Sequence, residues 1–79
     1  YHSLKKAEGL YASGERDAGR IRQEMAQVIG GEPLAEVEYI SVAHPATLQE
    51  LEKIEGRALA SLTVKIGATR LIDNVILGG

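Results

Sequence analysis

The chain has 79 residues with a formal net charge of −2, and it contains no Cys, Trp or Phe. That length makes a single small domain, residues 1–79, with a thin core, because a chain of this size buries only about 60% of its unfolded surface. Disulfides and thiolate metal sites are excluded, a cytoplasmic location fits the lack of cysteine, no apolar run approaches the ~20 residues of a membrane span, and the mixed, mildly acidic charge argues against a nucleic-acid partner.

The opening Tyr1-His2-Ser3-Leu4-Lys5-Lys6 is not read as a signal peptide, because no long apolar stretch follows. Leu4, Ala7, Leu10 and Tyr11 recur at helical spacing, and Ser13-Gly14 is a stop signal. Gly9 within this stretch marks either close approach of another backbone or a tolerated surface glycine. Asp17 suits the N-cap of a second helix, since its carboxylate can accept a free backbone N–H. Ile21, Met25, Val28 and Ile29 form one apolar stripe, with Gly30-Gly31 and Pro33 at its end. A core role for this stripe is favoured over a partner groove, because so short a chain needs every apolar face.

The second half changes period. Val37, Tyr39 and Ser41 alternate with Glu38, Ile40 and Val42, which predicts a strand that His44-Pro45 interrupts. Thr47–Leu51 is expected as a short helical turn, and Ile54-Glu55-Gly56 as a loop. Ala58, Ala60, Leu62, Val64 and Ile66 then alternate with Leu59, Ser61, Thr63 and Lys65, the cleanest strand pattern in the chain. Gly67-Ala68 turns into a last strand of about Thr69 to Leu77, so the two runs predict an antiparallel hairpin. The expected fold is α+β: two N-terminal helices packed on a small, about three-stranded antiparallel sheet ending in a β-hairpin.

Few residues carry a chemical signal. No second ligand lies at metal spacing from His2 or His44, so neither is expected to hold a metal or to act in catalysis. Glu32, Glu36 and Glu38 form one acidic patch, and Glu50, Glu52 and Glu55 another. With no apolar pocket to raise a pKa, both read as solvated faces rather than acid–base pairs. Lys5, Lys6, Arg16, Arg20 and Arg22 are offset by Glu15, Asp17 and Glu24, and they form no focused clamp. Gly30-Gly31 and Gly78-Gly79 lack the Lys and Ser/Thr spacing of a phosphate loop.

Thr69-Arg70-Leu71-Ile72-Asp73-Asn74 stands out, because it places two charges in an expected core strand, where they cost free energy unless paired or solvated. Arg70 and Asp73 are an odd number of residues apart, so on a regular strand they point to opposite faces and do not pair directly. Asp73 shares its parity with Leu71, Val75 and Leu77. It is expected among apolar side chains, accepting from backbone, Arg57 or Thr69. A fold-specifying anchor is favoured over catalysis, and Asp73→Ala is expected to lower the melting temperature.

At these residues the sequence resembles a known family. Ile66-Gly67-Ala68-Thr69-Arg70-Leu71-Ile72-Asp73-Asn74 is similar to the C-terminal signature of the pantothenate synthetases, the pantoate–β-alanine ligases. Gly14-Glu15-Arg16-Asp17-Ala18, Tyr39-Ile40-Ser41-Val42 with Pro45, Thr47 and Leu48, and Ala58-Leu59-Ala60 resemble other parts of the same domain. His44 and Ser41 depart from the family, in which acidic residues are common at both places. The family's His-x-Gly-His, Lys-Met-Ser and Ser-Ser-Arg-Asn type motifs do not occur here.

The resemblance implies the C-terminal lid domain alone of an ATP-dependent ligase that makes pantothenate through a pantoyl-adenylate. It implies ATP and Mg2+ for the full-length enzyme, with neither bound by this domain, and no catalytic residue carries over onto this chain. Gly67, Thr69, Arg70, Leu71, Ile72, Asp73 and Asn74 then form a family signature with a structural role. The implied partners are the N-terminal nucleotide-binding domain of the same polypeptide and a second copy of the parent in a homodimer. The competing expectation is a free-standing α+β module that binds a protein partner.

Overall fold

The computed structural model describes residues 2–78; Tyr1 and Gly79, which the sequence reading placed in the opening segment and the final glycine pair, lie outside the described residues. Helix α1 spans His2–Ala12 and α2 spans Ala18–Gly30, followed by strands β1 (Ala35–Ala43), β2 (Ala58–Ile66) and β3 (Thr69–Leu77). The strands form one antiparallel sheet in the order β1-β2-β3. The α+β expectation of two helices and a three-stranded sheet therefore holds.

Helix ends follow local chemistry. Gly14 closes α1 at φ +106°, a left-handed conformation that glycine reaches without a Cβ penalty. The Glu15 N–H donates to the Leu10 carbonyl at 2.9 Å and the Gly14 N–H to that of Tyr11 at 3.1 Å, the paired bonds of a Schellman motif. Asp17 caps α2, accepting from the Arg20 N–H at 3.1 Å. The far end of α2 falls at Gly30, as the glycine pair predicts, although the C-cap Gly31 keeps a right-handed φ of −75°. The chain leaves through turns in which Glu32 N–H donates to Ile29 O and Ala35 N–H to Glu32 O. Gly9 has nothing near its Cβ position, so it is a surface glycine.

The core lies between the helices and one face of the sheet. Leu4 and Ala7 come from α1, Ala18, Ile21, Met25 and Ile29 from α2, and Ala58, Ala60, Leu62 and Val64 from β2. Val28, expected in the stripe, sits at its half-buried margin. Alanines at four of these positions keep side-chain volume small where the layers meet, while each fully buried Ile, Leu or Met contributes roughly 1.5–3 kcal/mol. Ile54, read from sequence as part of a loop, is only 2% exposed and plugs the same core.

Two corrections concern β1 and its exit. Val37 pairs with Val64 and Tyr39 with Thr63, so Glu38 is the extra residue of a β-bulge. The bulge reverses side-chain parity. Val37 shares the helix-facing side before it, and Ile40 and Val42 share that side after it, so one unbroken alternation does not describe the strand.

Thr47–Leu51 is not a helical turn. Residues 45–47 form a turn, Leu48 takes φ +63°, and Glu50 comes back to bridge Ala43 on the outer edge of β1. His44 N–H donates to Gln49 O at 2.9 Å and Leu51 N–H to Val42 O at 3.0 Å, so backbone bonds that a helix would have made locally go to the strand.

Candidate functional surface

Cross-strand register sorts the sheet into two faces. Partners directly opposite on antiparallel strands point the same way. Leu71, Asp73, Val75 and Leu77 lie opposite Val64, Leu62, Ala60 and Ala58, on the helix side. Arg70, Ile72, Asn74 and Ile76 lie opposite Lys65, Thr63, Ser61 and Leu59, on the face that no helix covers. Tyr39, Thr63 and Ile72 form one row across all three strands of this open face. Ile72 is 72% exposed and Tyr39 53% exposed, an apolar row in contact with water.

The signature segment therefore does not lie in the core. Residues 69–74 are all exposed, because β3 is an edge strand and only its Leu77 end is buried. Asp73 is not enclosed by apolar side chains. Its carboxylate accepts from the Asn74 N–H at 2.8 Å, with no contribution from Arg57 or Thr69.

Arg70 has a longer-range partner. Its Nε donates to Glu38 Oε1 at 2.7 Å and its Nη2 to Glu38 Oε2 at 3.3 Å. The residue that the bulge leaves without a cross-strand partner thus clamps the two outer strands over the middle one. The hydrogen bond from Arg70 holds the Glu38 carboxyl below its ordinary range; desolvation opposes the shift, and the Arg70 and Lys65 charges reinforce it. The same bond raises Arg70. Arg70 and Asp73 make no pair with each other, as strand parity requires.

A second network escaped the sequence reading. Glu50, taken as part of a solvated patch, accepts from Ser41 Oγ and from the Val42 N–H at 3.0 Å. Arg22 of α2 reaches the same carboxylate at 3.1 Å and also donates to Leu51 O at 2.9 Å. This latch seals the β1 edge and fixes the turn that carries His44. Arg22 and Glu50 are 28 residues apart, and no spacing rule links them.

Tyr11 does similar work at the other end of the loop. Its Oη donates to Gly56 O at 2.8 Å, while the Arg16 guanidinium lies 3.8 Å from the ring centroid. Gly78, at φ +82°, leaves room for that ring, which a Cβ there would strike.

Among the described residues no group of three or more His, Cys, Asp or Glu side chains is placed to hold a metal ion, and no helix is long and apolar enough to cross a membrane. The surface offers an apolar sheet face, a charged clamp at its corner and open loop grooves.

Comparison with known proteins agrees with this architecture. The pantoate-beta-alanine ligase family matches residues 1–76. The chain is 49% identical over 78 residues to the pantothenate synthetase of Herpetosiphon aurantiacus, covering 98% of this chain and 28% of that relative. It is 50% identical over 80 residues to the enzyme of that name from Chloroflexus aurantiacus, covering 100% of this chain and 28% of the relative. A crystal structure of pantothenate synthetase from Thermus thermophilus superposes with a TM-score of 0.86 at 21% identity, over 95% of this chain and 27% of that one, so it shares the fold. The chain thus spans about 28% of the length of the curated relatives it matches. On a match that runs through both helices and all three strands, the chain belongs to the pantoate–β-alanine ligase family.

Proposed function

We propose that this chain is the C-terminal lid domain of an ATP-dependent ligase that condenses pantoate with β-alanine. The observation that carries the reading is a family match over nearly the whole chain that accounts for only about 28% of its relatives' length. The remainder of the parent polypeptide is the partner, and it holds ATP and Mg2+ and supplies the catalytic groups. The parent forms a homodimer through that remainder.

The chemistry explains why a lid is needed. A carboxylate is a poor electrophile until adenylation supplies a leaving group. The pantoyl-adenylate that results is open to attack by water as well as by the amine of β-alanine. A closing element excludes water and so couples AMP release to pantothenate formation. The open sheet face, with Tyr39, Ile72 and Ile76 exposed, gives this domain an apolar surface to set against the rest of the enzyme. Gly67, Thr69, Arg70, Leu71, Ile72, Asp73 and Asn74 build the hairpin and outer strand of that face and do none of the bond-making.

Two measurements test the reading. The purified 79-residue chain should form no pantothenate from pantoate, β-alanine and ATP; activity free of contaminating enzyme sinks the proposal. A parent enzyme lacking these residues should release AMP and pyrophosphate without matching pantothenate, and unchanged coupling is equally fatal. The alternative, a free-standing interaction module, is separated by the encoding reading frame. An upstream nucleotide-binding domain in that frame rules the module out.

A further inference from the structure

Two grooves beside the β1–β2 connection share His44 and Arg57, and the larger, about 400 Å3, is also lined by Lys53, Glu55 and Gly56. The His44 ring is fixed. Its Nδ1 accepts from the Ala46 N–H at 3.1 Å and the Thr47 N–H at 3.2 Å. An accepting Nδ1 carries no proton, so the ring N–H is at Nε2, a donor left over for a ligand.

The other two donors ride on anchored backbone. Lys53 bridges Asp17, the Ile54 N–H donates to Arg16 O at 2.8 Å above a buried side chain, and Tyr11 holds Gly56. Arg57 directly precedes the buried start of β2. Neither Lys53 nor Arg57 makes a side-chain hydrogen bond or ion pair among the described residues, where the salt bridges are Lys6–Glu24, Arg22–Glu50 and Arg70–Glu38. Of the loop carboxylates, Glu50 is committed to Ser41, Val42 and Arg22, while Glu52 and Glu55 flank Lys53 in sequence without a salt bridge to it. Glu52 and Glu55 offset these two charges overall, so what marks the groove is the placing of Lys53, Arg57 and an oriented imidazole on one lining.

We propose that this groove is a binding site for a small phosphate-type oxyanion, free or carried on a nucleotide. Arg57 offers paired planar N–H donors, Lys53 a point charge, and His44 Nε2 a third donor from another segment. Three donors from separate places suit a tetrahedral anion with several acceptor oxygens better than a two-oxygen carboxylate. Glu55 on the same groove opposes the ligand and limits affinity.

The test is an amide NMR titration of the 79-residue chain with inorganic phosphate, and separately with AMP, each against sodium chloride at equal ionic strength. Saturable shifts should centre on His44, Ala46, Thr47, Lys53, Gly56 and Arg57. Tighter binding of AMP than of phosphate assigns a nucleotide, and equal binding assigns the free anion.

Lys53→Gln and Arg57→Gln should each weaken binding at least about tenfold. His44→Asn, which keeps a side-chain acceptor for the turn, should weaken it severalfold. Glu55→Gln should tighten it. Well-dispersed spectra of the variants establish that each is folded. Shifts that never saturate, or affinity unchanged in both the Lys53 and Arg57 variants, overturn the proposal.

Discussion

Replacing Glu50 by alanine tests whether the latch on the β1 edge contributes to stability. Ser41 is 2% exposed, so losing its acceptor costs about 1–3 kcal/mol, toward the low end where water fills the space left by the exposed Glu50 side chain. The Val42 N–H loses a partner at the sheet edge, about 0.5–1.5 kcal/mol. The Arg22–Glu50 ion pair is partly solvated and adds at most about 1 kcal/mol, while Arg22 keeps its bond to Leu51 O. The sum is about 1.5–5.5 kcal/mol, a large part of the roughly 5–15 kcal/mol that holds a small domain together. At about 4–8 °C per kcal/mol for a domain of this size, the melting temperature should fall by at least about 6 °C. Thermal and urea unfolding followed by circular dichroism would measure it. Glu50→Gln keeps an acceptor without the charge and should lose about half as much. A Glu50→Ala chain that melts within about 3 °C of the parent would refute the reasoning, because even the low end of the range requires a larger fall.

Other predictions follow from the sheet. Arg70 lowers the Glu38 carboxyl from its ordinary 4.5, so the clamp's contribution is fully present above that value and is lost as pH falls through the lowered one. The gap in melting temperature between the parent and Glu38→Gln should be visible at neutral pH and low salt, and it should close under acid or in high salt; a gap that ignores both would rule the clamp out. Asp73→Ala, expected from sequence to be costly, should change stability by no more than about 0.5 kcal/mol, because the side chain is exposed and bonds only its neighbour's N–H. Ile72→Lys should leave the melting curve of the 79-residue chain nearly unchanged while uncoupling AMP release from pantothenate formation in the parent ligase. Intact coupling in that variant would remove the open face from the docking surface.

The sequence was most informative where one chemical rule acts alone. Asp17 and Gly14 are legible because a helix end needs an acceptor or a left-handed residue wherever it occurs. Strand β2 is legible because it is central and covered on one face, so burial alternates from Ala58 to Val64. Strand β1 is less so. Its bulge at Glu38 changes which parity faces the helices, and a bulge in this segment leaves no mark of composition. Ile54 and the Arg22–Glu50 latch were missed because both depend on where a loop lands in space, which hydrophobic periodicity does not encode.

The Thr69–Asn74 segment shows the same limit. Its apolar neighbours correctly indicate a strand, but alternation identifies two faces without saying which of them is covered. Two helices suffice to bury one side of a three-stranded sheet, and the core they make is complete without Ile72 or Tyr39. Folding this chain therefore does not require those side chains to be apolar, and an exposed apolar row carries some aggregation risk in water. Asp73 is tolerated because it is solvated rather than enclosed, and Arg70 because it is both solvated and paired. Arg70 is tied to Glu38 across the middle strand, which fixes the corner of the face on which Ile72 is displayed. An apolar row beside a charged clamp, on a side the domain's own core does not use, fits the inner surface that the proposed lid role calls for.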